Sequence, residues 1–139
     1  RLTRDEQITL MTLWTMIRSP LMFGGDLRYN DEWTTALITN EEVLMITKAS
    51  HDNRQLYRDG NLVAWTAVGE GEPDPVYLAH FNLGEEAAAI ATDLSQLGLT
   101  GRYLVRDLWA REDRETTSTK VVTNVPPHGA ALLKLTRLT

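Results

Sequence analysis

Asp107 and Asp113, within "VRDLWARED", are the carboxylates that a small hydrolase could use as an acid and base pair. Their neighbours offer another use. Asp107 stands between Arg106 and Leu108 in an expected strand, where a cross-strand ion pair or a turn hydrogen bond occupies a carboxylate without catalysis. Asp26 closes the apolar run Leu21, Met22, Phe23 at a strand end, a place where barrel enzymes put active-site groups, but an Asp at a strand-to-helix turn also caps backbone N–H groups. Glu41 and Glu42 open a helix and complement its dipole.

Metal and nucleophile chemistry find less. His51, His80 and His128 lie far apart and lack the short i, i+4 or i, i+2 spacing of metal ligands. His128, after Pro126-Pro127 and before Gly129, reads as part of a stiff turn into the last strand. The chain has no cysteine, and its serines lack the Gly-x-Ser-x-Gly setting of an activated nucleophile. "FGGDL" lacks the Lys and the spacing of a phosphate loop. No residue is therefore assigned as catalytic, cofactor-binding or metal-ligating.

Aromatic side chains leave one binding chemistry open. Tyr57, Trp65, Tyr77, Phe81, Tyr103 and Trp109 fall on expected strands, and exposed flat rings on a sheet would stack against sugar faces. Alternation favours the core instead, with Val63, Trp65 and Ala67 on one face and Tyr77, Ala79 and Phe81 on another. Trp14 and Trp33 sit on expected helices and read as packing residues.

The elements that would position these groups change character near residue 51. Before it the chain reads as helix, strand, helix, helix. Thr3 and Glu6 have capping-box spacing, and Leu10, Leu13, Trp14 and Ile17, with Met11 beside them, form a helical stripe that ends before Pro20. "SPLMFGGDLR" then looks like an interior strand of a parallel sheet. Asn30 or Asp31 can cap a helix through "DEWTTALIT", and Asn40 a shorter one through "EEVLMIT".

From residue 51 onward short β-branched and aromatic runs alternate with turn signals, as in an antiparallel sandwich. Asp59-Gly60 marks a hairpin between "RQLYR" and "NLVAWTAV". "GEGEPDP" is an exposed connection to "VYLAHFNL", and the further expected strands are "AAAIATD", "RYLVRDLWA", "TKVVTNV" and "GAALLKLT". "EEAAAIA" has the propensity of a helix, but its shortness and flanking turns favour a strand.

Bulk properties bound the function. A chain of 139 residues with 42% hydrophobic and 24% charged residues can bury a core, and its net charge of −5 with dispersed Lys and Arg disfavours nucleic acid as a partner. No apolar run reaches the roughly 20 residues of a membrane helix, and "RLTRDEQ" is not a signal peptide. The compartment stays undetermined. A first residue of Arg, without an initiator Met, points to a natural start elsewhere.

The incompleteness shows in the first half. One parallel-type strand with its helices cannot cover both its faces or pair all its backbone groups. The expectation is that these apolar stripes fold back onto the β-rich part, or against a second copy of the chain as a homo-oligomer.

The run "LTRDEQITLMTLWTMIRSPLMFGGDLR", then "LITNEEVLMI", "LVAWTA", "VRDLWA" and "VPPHGAALLKL", resembles, along essentially the whole chain, the C-terminal part of glycoside hydrolase family 27. That family comprises the α-galactosidases and α-N-acetylgalactosaminidases. The resemblance implies an α+β fragment: residues 1–51 would be the last helix-strand-helix elements of a (β/α)8 barrel, and residues 52–139 an antiparallel β-sandwich domain. Leu21 to Phe23 would be the eighth barrel strand, and the missing upstream barrel would be its partner. The resemblance also implies a retaining glycosidase, with carbohydrate as substrate only in the full enzyme. Its aspartates belong to a Lys-x-Asp-Tyr motif and an Asp-rich turn, neither of which occurs here, and its Asn-Asp-Pro-Asp loop would precede residue 1.

Three readings follow. The leading one is a glycosidase fragment that catalyses nothing alone. The second is an autonomous carbohydrate-binding or protein-interaction module over residues 52–139, and the third a small enzyme built on Asp107 and Asp113.

Overall fold

A computed structural model describes residues 3–17 and 40–138. The expected strand Leu21 to Phe23, Asp26 and the helix carrying Trp33 lie outside the described residues.

Helix α1 spans Arg4–Met16 and starts as its capping box demands: Thr3 Oγ1 accepts from Glu6 N at 3.1 Å, and Glu6 Oε1 accepts from Thr3 N at 2.9 Å. Its buried face differs from the expected stripe. Met11, Thr12, Thr15 and Met16 point inward, whereas Leu10, Leu13 and Trp14 are half-buried and Ile17 is 47% exposed. The reason is that two threonines can pass for apolar residues on a helix. Their hydroxyls donate back to the preceding turn, Thr12 to Ile8 O at 2.6 Å and Thr15 to Met11 O at 2.7 Å, so burying them leaves no donor unpaired.

Helix α2 spans Glu41–Ala49 and buries Val43 and Ile46. Eight strands follow: β1 His51–Asp59, β2 Leu62–Val68, β3 Val76–Asn82, β4 Ala88–Asp93, β5 Tyr103–Asp107, β6 Glu112–Thr117, β7 Lys120–Val125 and β8 Ala130–Arg137. They form a six-stranded sheet in the order β1-β2-β3-β8-β5-β6 and a two-stranded sheet β4-β7, with every pairing antiparallel. The expected antiparallel sandwich is present.

Local signals explain much of this. Asp59 pairs with Leu62 across a two-residue turn in which Gly60 takes φ +60°, the conformation glycine adopts without steric cost. "EEAAAIA" yields a strand, as its flanking turns indicated. One strand escapes the pattern: β6, "EDRETT", has exposed side chains along nearly its whole length and so lacks the alternation that betrays a half-buried strand. It is an edge strand, paired on one side to β5 and rich in charge. "RYLVRDLWA" accordingly stops at Asp107, and Leu108 to Arg111 turn the chain into β6.

The centre of the six-stranded sheet is buried on both faces. All seven residues of the central strand β3 are buried, as expected of a strand covered from two sides. On one face Val63, Tyr77, Phe81 and Leu132 pack against Met16 of α1 and Val43 and Ile46 of α2. On the other, Ala64, Leu78, Val105 and Leu133 pack against Val121 of β7 and Leu94 of the 3-10 turn Leu94–Leu97. The helices thus fold back onto the sheet and share a core with it.

Candidate functional site

The two aspartates proposed as a pair are held by different partners. Asp107 Oδ1 accepts from Ala110 N at 3.0 Å and closes the β5–β6 turn. Asp113 faces Arg106 in the β5–β6 register and accepts from its Nη1 at 3.0 Å. Both carry the structural roles that the sequence allowed.

Arg106 is the centre of a larger ionic cluster. Its Nε donates to Glu42 Oε1 at 2.7 Å and its Nη2 to Glu42 Oε2 at 3.2 Å, the two-pronged geometry that suits guanidinium and carboxylate. Arg111 Nε donates to Glu42 Oε2 at 3.0 Å. The Arg106 hydrogen bonds, more than the partial burial that opposes them, hold the Glu42 carboxyl below the ordinary carboxylate range. Glu42 therefore does more than complement a helix dipole: it fastens α2 to β5 and the turn beyond it. Nothing in its own sequence neighbourhood shows these arginines.

Asn40 fastens the same helix twice. Its Oδ1 accepts from Glu42 N at 3.1 Å and Val43 N at 3.3 Å, and its buried Nδ2 donates to Leu108 O at 2.9 Å. Asn40→Ala is expected to cost about 2 to 3 kcal/mol, from a lost cap and from a buried carbonyl left without its donor. Urea unfolding checks this. Asn40→Asp keeps the cap but turns a donor into an acceptor facing Leu108 O, so it should recover little of the loss.

The histidines stay apart. His51 Nδ1 meets Asp52 Oδ2 at the surface at 3.1 Å, and His128 Nε2 meets Glu85 Oε1 at 3.0 Å, which raises the His128 pKa. His128 adopts φ +58° in the turn before β8, and its carbonyl accepts from Thr9 Oγ1 of α1 at 2.6 Å. His80 is buried between Thr92 and Thr123. Among the described residues no group of three or more His, Asp or Glu is placed to hold a metal ion.

The aromatic residues pack inward. Tyr77, Phe81 and Tyr103 are buried, and Trp65 and Trp109 are half-buried against the helix-side core. Trp109 Nε1 donates to Thr12 Oγ1 at 2.9 Å, and Tyr57 Oη donates to Ala91 O at 2.6 Å. Among the described residues the exposed large apolar side chains are Ile17, Met45, Leu83 and Val122, none with a ring. A groove of about 270 Å³ at the β1 bulge is lined by Asp52, Asn53, Arg54, Thr66, Val68 and Val76, a position the sequence did not single out. Among the described residues it has no aromatic wall for a sugar to stack on.

The family profile described as the alpha galactosidase C-terminal beta sandwich domain matches residues 59–135. Alpha-galactosidase 2 of Arabidopsis thaliana is 27% identical over 140 residues, covering 98% of this chain and 35% of its own length. Among solved structures, a GH27 β-L-arabinopyranosidase from Geobacillus stearothermophilus is 39% identical with a TM-score of 0.91, covering 100% of this chain and 32% of that one. A putative alpha-N-acetylgalactosaminidase from Bacillus halodurans is 38% identical with a TM-score of 0.92, covering 99% and 33%. The chain spans about a third of the length of these relatives. With a sandwich of matching architecture on the page, the chain belongs to the family of alpha-galactosidase C-terminal beta sandwich domains.

Proposed function

We propose that this chain is the C-terminal part of a retaining α-galactosidase-like glycoside hydrolase, which removes terminal α-linked galactose or a related residue, and that alone it is not catalytic. The observation that carries this is an end-to-end match to about a third of each relative, in a chain whose candidate pair Asp107 and Asp113 is engaged structurally. Retaining hydrolysis needs two carboxyl groups about 5 Å apart, one to attack the anomeric carbon and one to protonate the leaving oxygen. Such a pair belongs to the remainder of the enzyme.

In this reading residues 1–51 are the closing elements of the (β/α)8 barrel, and residues 52–139 are the sandwich that follows it. The sandwich supports the barrel through the helices it holds. Exposed Ile17 and Met45 on the outer side of those helices supply apolar surface for that contact.

The relatives' names mention galactose, N-acetylgalactosamine and β-L-arabinopyranose. These sugars share one arrangement of ring substituents, and the arabinopyranose lacks only the carbon outside the ring. Chromogenic glycosides of all three therefore form the test panel. The 139-residue chain is expected to hydrolyse none of them, and a longer protein that includes an upstream barrel at least one. Turnover by the short chain that persists through repeated purification would overturn the assignment.

A further inference from the structure

The seam between the two sheets contains a buried imidazole with both ring nitrogens engaged. His80 of β3 is 1% exposed, Nδ1 lies 2.7 Å from Thr123 Oγ1 of β7, and Nε2 lies 2.7 Å from Thr92 Oγ1 of β4. One side chain of the large sheet thereby ties both strands of the small one.

The hydroxyls give the bonds a direction. Thr92 Oγ1 is also 3.4 Å from Tyr57 Oη, and Tyr57 Oη donates to Ala91 O. Since the tyrosine proton goes to a carbonyl, Thr92 gives its own proton to Tyr57 and accepts from His80 Nε2–H. The remaining nitrogen, Nδ1, then accepts from the Thr123 hydroxyl. The ring is neutral, and His80, Thr92, Thr123 and Tyr57 satisfy one another along this run.

Proton uptake at Nδ1 breaks this order. Thr123 would have to become an acceptor and turn its own proton elsewhere, within an apolar seam that includes Val121 and Leu78. Across the sheet His80 registers with Ala64 of β2 and Ala131 of β8, which bring no charge. The facing groups on β4, β7 and β1 are the hydroxyls of Thr92, Thr123 and Tyr57. The formal charge acting on the ring is the Arg114 guanidinium of β6, which has the wrong sign to stabilise an imidazolium.

We propose that His80 is a proton-operated latch: uptake of a proton from solvent at Nδ1 favours release of the β4-β7 sheet from the six-stranded sheet. Two further side chains tie the seam. Asn82 Nδ2 donates to Val125 O at 3.0 Å, and Arg114 Nη2 donates to Val122 O at 3.0 Å. Acid therefore loosens this layer before it loosens the helix-side core.

Burial, helped by Arg114, lowers the pKa of His80 to about 4 in the closed seam, whereas a solvated histidine titrates near 6.5. The sign follows. The open form binds the extra proton first, so closure is favoured above about pH 6.5 and weakens as pH falls towards about 4.

Amide hydrogen exchange of the full chain, corrected for intrinsic rates, tests this at about pH 7 and about pH 4.5. Protection in β4 and β7 is expected to fall roughly 60-fold relative to β3 and β8. In His80→Gln, whose amide can both donate and accept, that selective fall should vanish. Should the variant not fold, the His80 ring resonances of the wild-type chain serve instead, with a closed-state midpoint near pH 4 expected. Equal loss of protection in all four strands, an unchanged β4-β7 profile, the same fall in His80→Gln, or a ring midpoint near pH 6.5 would overturn the latch.

Discussion

A chain shortened to residues 51–139 is expected to lose its sharp thermal transition and its dispersed amide spectrum, although it keeps all eight strands. The helices it would lack cover the centre of one face of the large sheet. Met16, Val43 and Ile46 are at most 1% exposed, and burying each is worth about 1.5 to 3 kcal/mol. Their removal also returns Val63, Tyr77, Phe81 and Leu132 to water. Domains of this size are stable by about 5 to 15 kcal/mol in all, so this loss is comparable to the whole. Circular dichroism melts and a two-dimensional amide spectrum decide the matter. A sharp transition in the shortened chain would instead mark the sandwich as an autonomous module, the second reading of the sequence.

Leu132→Ala and Leu133→Ala should each cost about 3 kcal/mol, for reasons on opposite sides of one strand. The two residues are neighbours on β8, exposed by 0% and 1%. Leu132 packs in the helix-side cluster and Leu133 in the seam between sheets. Truncating a fully buried leucine removes its transfer free energy and leaves a cavity, a cost of about 2 to 5 kcal/mol. Each variant should lower the urea midpoint by on the order of 1 M. Val122→Thr, at a 37% exposed site on the outer side of β7, is the control and should stay within about 0.5 kcal/mol. Helix and strand signals melting together in both leucine variants would show one cooperative unit. Early loss of helix signal in Leu132→Ala alone would show that the helical layer opens by itself.

Several features were legible because their causes are local. The capping box needs only Thr3 and Glu6, and the β1–β2 hairpin needs only a glycine free to take positive φ between two strand-forming runs. Alternation on β7 shows its inward face directly, with Val121, Thr123 and Val125 buried and Lys120, Val122 and Asn124 exposed. The family resemblance rests likewise on the order of short runs, which folding does not change.

Other features depend on partners that the chain brings together from afar. Glu42 and Arg106 stand 64 residues apart, and Thr12 and Trp109 stand 97 apart, so no window of sequence contains either pair. β6 carries no periodic signal because it is an edge strand whose side chains face water along nearly its whole length. The buried threonines of α1 look polar until their hydroxyls are seen bonded within the helix.

By itself, then, the sequence determined the two described helices, most of the strands, their turns and the family, all matters of backbone preference and side-chain period within a few residues. Tertiary structure alone decided that the helices and the sheet share a core, that the tempting carboxylates serve as a turn cap and an ion pair, and that His80 joins two sheets. Those outcomes turn on burial and on which groups come within hydrogen-bonding reach, and a linear pattern carries neither until long-range packing places the partners.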